Sequence, residues 1–147
     1  MLKNFIYYPG LTPAENKLIK KYPIDALTVY LQKNIAENSS SRNFPDQSLN
    51  DESDAFRHFI WSGLLTKELG VNKAREFLDA HEEDPAQPEN QKKMDLFNNN
   101  RGQIAAQNLI KENVWCLRTL ERKALNELKD NKLSVLKYGL IIPTEPK

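Results

Sequence analysis

The stretch DAFRHFIWSGLLTKELG, residues 54–70, carries Phe56, Phe59, Ile60, Trp61, Leu64 and Leu65 at spacings that leave a helix almost no polar side. A helix that is apolar nearly all round belongs in the middle of a bundle, because a surface helix needs only one apolar stripe. The expected helix runs from about Glu52 to Leu69, and Gly70 is suited to terminate it in a left-handed conformation. The remainder of the chain has to supply helices that surround it.

It does so in both directions. Upstream, Thr12-Pro13-Ala14-Glu15 forms a capping box with proline at the first helical position, so a helix starts there and stops near Tyr22-Pro23. A second begins at about Pro23, with Leu27, Tyr30, Leu31 and Ile35 at one-face spacing. Residues 37–51 (ENSSSRNFPDQSLND) read as a polar loop. Downstream, Asn72 caps a helix that presents Ala74, Phe77, Leu78 and His81 before the proline-rich loop DPAQPEN, residues 84–90. A fifth helix runs from about Gln91 to Lys111 and a sixth from about Val114 to Asp130. KLSVLKYGLII, residues 132–142, has room for one or two short strands. The expected fold is therefore all-α, a single domain over 1–147 of about six helices with a short C-terminal β hairpin, and its motif core lies at 51–111.

Composition agrees. The 147 residues suit one domain, and 39% hydrophobic with 28% charged residues is the balance of a globular chain. Lys and Arg number 21 against 20 Asp and Glu, so no global field draws nucleic acid, and nucleic-acid binding is not expected. The lone cysteine, Cys116, excludes an intrachain disulfide and any multi-cysteine metal site. No apolar run approaches the roughly 20 residues of a transmembrane span. The start, MLKNFIYYPG, is a poor Sec signal, which leaves a cytoplasmic location or export by another route.

Chemistry concentrates on three helices. Asp54 and His58, four apart on the third, lie on the same side, and Arg57 stands beside His58 in sequence. His81 and Glu82 close the fourth. On the fifth, one face collects Met94, Asp95, Asn98, Asn99, Gly102, Ala105, Ala106 and Leu109, so Asp95, Asn98 and Asn99 point inward or into a cleft. Packed together, these groups form a polar cluster in a bundle. His58 or His81 then acts as a general base with Asp54 or Asp95 as its partner, while Asn98, Asn99 and Arg57 hold substrate. Alternatively His58, His81, Glu82 and Asp95 hold a divalent metal such as zinc. Each residue also has a plain structural role open to it. Asp54 favours its helix dipole, the histidines can be satisfied core groups, Asn98 and Asn99 can tie a loop to the bundle, and Arg57 can be an ion-pair partner.

DAFRHFIW, AREFLDAHE and MDLFNNNRG together resemble a bacterial domain family of unknown function with the pattern D-A-F-R-H-x-x-W, A-H-E, M-D-x-x-N-N-x-x-G. The match falls on Asp54, Ala55, Phe56, Arg57, His58, Trp61, Gly70, Ala80, His81, Glu82, Met94, Asp95, Asn98, Asn99 and Gly102. Such domains often sit at the C-terminal ends of secreted or toxin-like bacterial proteins. The resemblance thus implies a bacterial origin, in the cytoplasm or exported, and an effector- or toxin-like hydrolase. It supplies no substrate, and a small-molecule, lipid or cell-wall-type one is the expectation. The order of His58, His81-Glu82 and Asp95 is also loosely similar to HD-domain phosphohydrolases, at different intervals. A His–Asp pair on antiparallel helices is similar to secreted phospholipases, whose disulfides and calcium loop this sequence lacks. Two rivals stand beside a hydrolase. One is a non-enzymatic helical interaction module whose polar cluster is structural. The other is a lipase-like effector using Phe5, Ile6, Tyr7 and Tyr8 as its apolar patch.

Overall fold

The computed structural model describes residues 10–46 and 50–144. Its elements are α1 (Pro13–Lys21), α2 (Pro23–Asn43), α3 (Glu52–Leu69), α4 (Val71–His81), α5 (Glu89–Lys111) and α6 (Leu117–Lys129), followed by strands β1 (Ser134–Lys137) and β2 (Leu140–Pro143). Among the described residues this is the all-α bundle of six helices with a C-terminal hairpin that the apolar spacing implies. Residues 5–8, the apolar patch considered above, lie outside the described residues.

The central helix is α3. From Ser53 to Thr66 every residue but Arg57 is buried, and α2, α4, α5, α6 and β1 all pack against it. Asp51 caps its start by accepting from the Asp54 amide at 3.1 Å. Gly70 ends it at φ 82°, and the same residue precedes the first turn of α4. α1 opens with the capping box, Thr12 Oγ1 accepting from the Glu15 amide at 3.0 Å and Glu15 Oε1 from the Thr12 amide at 2.9 Å. The inward face of α5 is also as expected, with Met94, Asp95, Asn98, Asn99, Gly102, Ala105 and Ala106 buried. Gln103, outside that expected face, is buried as well and donates to Thr66 Oγ1 and the Val71 carbonyl, both at 3.1 Å.

Two readings of α2 need correction. The polar loop expected from residue 37 begins only after Asn43. Ser39 and Ser40 are fully buried, Ser40 Oγ donates to the Ser53 carbonyl at 3.3 Å, and Asn43 Nδ2 donates back to the Ser39 carbonyl at 2.8 Å. Packing against α3 thus holds in helix a segment whose Ser and Asn residues favour loops by themselves. The core face is also not the expected one: Ala26, Val29 and Ala36 point inward, while Ile24, Leu27, Leu31 and Ile35 stand exposed. The double variant Leu27→Gln/Leu31→Gln is accordingly expected to change unfolding free energy by less than about 1 kcal/mol, the range of surface substitutions. Urea unfolding checks it, and a larger loss would mean that this face is covered in solution.

The C-terminal hairpin turns through Tyr138 and Gly139, both at positive φ (53° and 75°), with Lys137 opposite Leu140. Two central residues in that conformation match the right-handed twist of the strands. Leu133 and Val135 bury against the bundle. α6 starts at Leu117 instead of Val114, because Asn113 takes a left-handed φ of 58° and Cys116 serves as the cap. Among the described residues, no helix is long and apolar enough to cross a membrane.

Candidate active site

The i, i+3, i+4 spacing on α3 sets Asp54, Arg57 and His58 side by side at the edge of a cavity of about 350 Å³. Glu82 enters from the end of α4 and Asp95 from α5. They converge on the imidazole of His58. Its Nε2 lies 3.4 Å from Asp54 Oδ1 and 3.3 Å from Asp95 Oδ1. Its Nδ1 lies 3.2 Å from Asn99 Oδ1 and 3.8 Å from Glu82 Oε1. Asp54, His58 and Asp95 each offer a ligand atom within 4.8 Å of the other two.

Every carboxylate in the cluster is held by a donor besides His58. Asp54 accepts from Arg57 and, through Oδ2, from the Asn50 amide at 2.8 Å. Gln87 Nε2 bridges Glu82 Oε2 at 2.8 Å and Asp95 Oδ2 at 3.0 Å. Among the described residues, the inner oxygens, Glu82 Oε1 and Asp95 Oδ1, are buried without a hydrogen-bond donor. Two buried acceptors left open at one point are costly, at about 1–3 kcal/mol each, and are satisfied by a proton or a cation.

The electrostatics follow. Burial alone would push the Asp54 carboxyl up, but the close contact and charge of His58, with Arg57 beside it, hold it below the usual carboxylate range. Burial works against the charge on His58. The contact with Asp54 and the charges of Asp95 and Glu82 override it and lift the imidazole to about 9. Asp95 is pushed up to about 7 by burial, helped by Glu82 and Asp54 and opposed by His58. Three carboxylates thus face two cations, Arg57 and a protonated His58, and the cluster retains protons that an exposed one would lose.

The remaining groups of the expected site divide between the centre, its edge and the far side of α5. His81 lines the same cavity, but its Nδ1 is engaged by Glu15 Oε2 at 3.1 Å and its ring meets Trp61 edge-on at 5.0 Å between centroids. It therefore stands beside the Asp54–His58–Asp95 group, not within it. Asn98 faces away: its amide both donates to the Ser134 carbonyl and accepts from the Ser134 amide, each at 2.9 Å, anchoring β1. Asn99 touches His58, and Arg57 pairs with Asp54 while lining the cavity.

Three site residues escape a reading of the sequence. Glu15 already has a role in the capping box, which conceals that its second oxygen reaches His81, 66 positions away. Gln87 sits in a loop whose prolines and acids mark only a turn. Asn50 contributes its backbone, which no side-chain pattern announces.

These features define a class: a helical domain built around a buried imidazole–carboxylate centre at the wall of an open cavity. The chain belongs to the domain-of-unknown-function family DUF6973, whose model matches residues 16–132 and so takes in every residue of the centre. Comparison with curated proteins and with solved structures finds no match.

Proposed function

We propose that this domain is a hydrolase whose reactive centre is a divalent metal held by Asp54, His58 and Asp95, with Glu82 at its side. The observation that carries this reading is the placing of His58 Nε2 between Asp54 Oδ1 and Asp95 Oδ1 on the wall of the cavity. With Nδ1–H donated to Asn99 Oδ1, the lone pair of Nε2 faces the two carboxylate oxygens. Metal-binding imidazoles are oriented in this way by an acceptor on their other nitrogen. Gln87 holds Asp95 and Glu82, and Arg57 with the Asn50 amide holds Asp54, so each ligand has a second partner that fixes it. The donor set, one imidazole with carboxylates, suits zinc, manganese or iron.

A bound metal at such a site supplies a hydroxide at neutral pH by lowering the pKa of its water. The chain's own groups do the remainder. Asn99 fixes the tautomer of His58, and the open oxygen of Glu82 is placed to take a proton from a water in the cavity. A purely structural cluster, the rival reading, has no need of a cavity opening onto it, whereas this one lines about 350 Å³ of accessible space.

The test is metal analysis of protein purified without an affinity tag, alongside hydrolysis of p-nitrophenyl esters. We expect about one zinc, manganese or iron per chain, with activity abolished by a chelator and restored by the metal. Asp95→Asn should bind metal at least about tenfold more weakly, as loss of a ligand or its support does. A chain that takes up none of these metals in titration would refute the proposal.

A further inference from the structure

A second cavity of about 170 Å³ adjoins the first and is lined by Lys33, Glu37, Arg57, His58, Trp61 and His81. Arg57, His58 and His81 line both cavities, so this row of basic side chains is where the two meet. Charge is divided sharply across it. Beyond that shared row the larger side carries the carboxylates of Glu15, Asp54, Glu82, Asp84 and Asp95, whereas the smaller side adds Lys33, Glu37 and Trp61.

The basic side is also built in place. The indole Nε1 of Trp61 donates to the Val29 carbonyl at 3.2 Å, which fixes the ring. Lys33 Nζ lies 5.8 Å from the centroid of that ring, and His81 meets the ring edge-on. Lys33 is half-buried with its ammonium held toward the face of Trp61 in the cavity wall, and its charge reaches Glu15 across the row. Arg57 spends one end on Asp54 and has five N–H donors in all, which leaves donors for an anion.

We infer that the smaller cavity is an anion subsite and that the substrate is a phosphoryl ester, its phosphoryl group held between Lys33 and Arg57 next to the Asp54–His58–Asp95 centre. This inference rests on the hydrolase reading and names its substrate class. A tetrahedral dianion needs more than one cation. The spread of Lys33 and the planar guanidinium of Arg57 supplies that, whereas a single carboxylate could be satisfied by Arg57 alone. No covalent step beyond hydrolysis is implied: water adds at phosphorus, the ester P–O bond breaks, and the alcohol leaves with a proton.

The probes are inorganic phosphate, phenyl phosphate and acetate, each titrated calorimetrically into the purified protein, and vesicles of phosphatidylglycerol in a sedimentation assay. The expected result is binding of both phosphates and a clear preference over acetate. Lys33→Ala should weaken phosphate about tenfold and Lys33→Arg should restore most of it, since one of two charge-assisted contacts is at stake. Among the described residues, Asp54, His58 and Asp95 are held by Arg57, Asn50, Asn99, Glu82 and Gln87, so the metal content of Lys33→Ala should match the wild type. Phosphate affinity that ignores both Lys33 variants, or acetate bound as tightly as phosphate, would overturn the assignment. So would vesicle binding that depends on Lys33 while the free phosphates do not bind, which would make the surface a lipid-docking one. A protein that binds phosphate through Lys33 yet takes up no metal would leave the subsite standing and remove the metal-centred hydrolase.

Discussion

Gly102→Ala is expected to cost at least about 3 kcal/mol, roughly 10 °C in melting temperature for a domain of this size, or to leave the chain unfolded. A Cβ at this position would lie 2.2 Å from the Phe59 carbonyl oxygen and 2.0 Å from Ser62 Oγ. The serine hydroxyl could rotate, giving up its 3.0 Å bond to that carbonyl. The carbonyl cannot yield, because it belongs to the backbone of α3, and α5 would have to move away along its length. The gain in helix propensity, about 1 kcal/mol, is too small to offset this. Gly63→Ala is the control. There the nearest atoms are the methyl ends of Leu120 at 2.9 Å, which can shift, and the expected loss is under about 1 kcal/mol. The contact at Gly102 also sets the distance between the helix of His58 and the helix of Asp95, so a folded Gly102→Ala chain should bind metal more weakly. Thermal unfolding of the two variants decides the matter, and equal stability of both would mean that α3 and α5 do not approach this closely.

What the sequence discloses about this architecture depends on how local the cause is. The central helix is legible because Phe56, Phe59, Ile60, Trp61, Leu64 and Leu65 leave it no outside, and all of them are buried. Asp54 with His58, and Asp95 with Asn99, are legible as same-side pairs because helical spacing alone puts them there. The face of α2 is not. Its large apolar residues, Leu27, Leu31 and Ile35, form a convincing stripe, yet the core takes Ala26, Val29, Ala36, Ser39 and Ser40. Small residues permit a close approach to α3, and the benefit of that approach lies in the partner helix, outside the segment being read. The same reason hides the true neighbours of the histidines. Periodicity places His81 on an inward face, but only the docking of α1 on α4, where Thr12 Oγ1 donates to the Ala80 carbonyl at 2.6 Å, brings Glu15 to it. Asn98 and Asn99 are adjacent in sequence and alike in chemistry, and the helix turns one toward β1 and the other toward His58.

His58→Ala is the substitution expected to do most to the centre, and its effect should depend on pH in a way that separates charge from volume. In the metal-free chain the protonated imidazole lies among Asp54, Asp95 and Glu82. Removing it leaves three buried carboxylates with Arg57 as their cation, and breaking a buried pair of this kind costs about 3–5 kcal/mol near neutral pH. In the wild type, His58 is raised from 6.5 to about 9. Its stabilising contribution is therefore fully present below pH 6.5, declines as pH rises through 9, and is absent above that. A shift of this size corresponds to about 3 kcal/mol. Asp95, raised to about 7, adds a slope of the same sign at lower pH, because the folded state keeps a proton that the unfolded state releases near 3.8. The variant lacks the His58 slope, and its Asp95, with no imidazolium to oppose the effect of burial, holds its proton to higher pH still. The two stability curves, measured by urea unfolding in chelator, should lie furthest apart near pH 6.5. They should close toward each other as the wild type loses its imidazolium around pH 9, and again in acid as the carboxyls protonate. A gap that stays constant from pH 5 to 10 would mean that His58 serves only as packing, and it would remove the electrostatic basis of the centre. Metal uptake should show the opposite trend in the wild type, strengthening as pH rises toward 9, because a metal takes the site only when Nε2 has given up its proton.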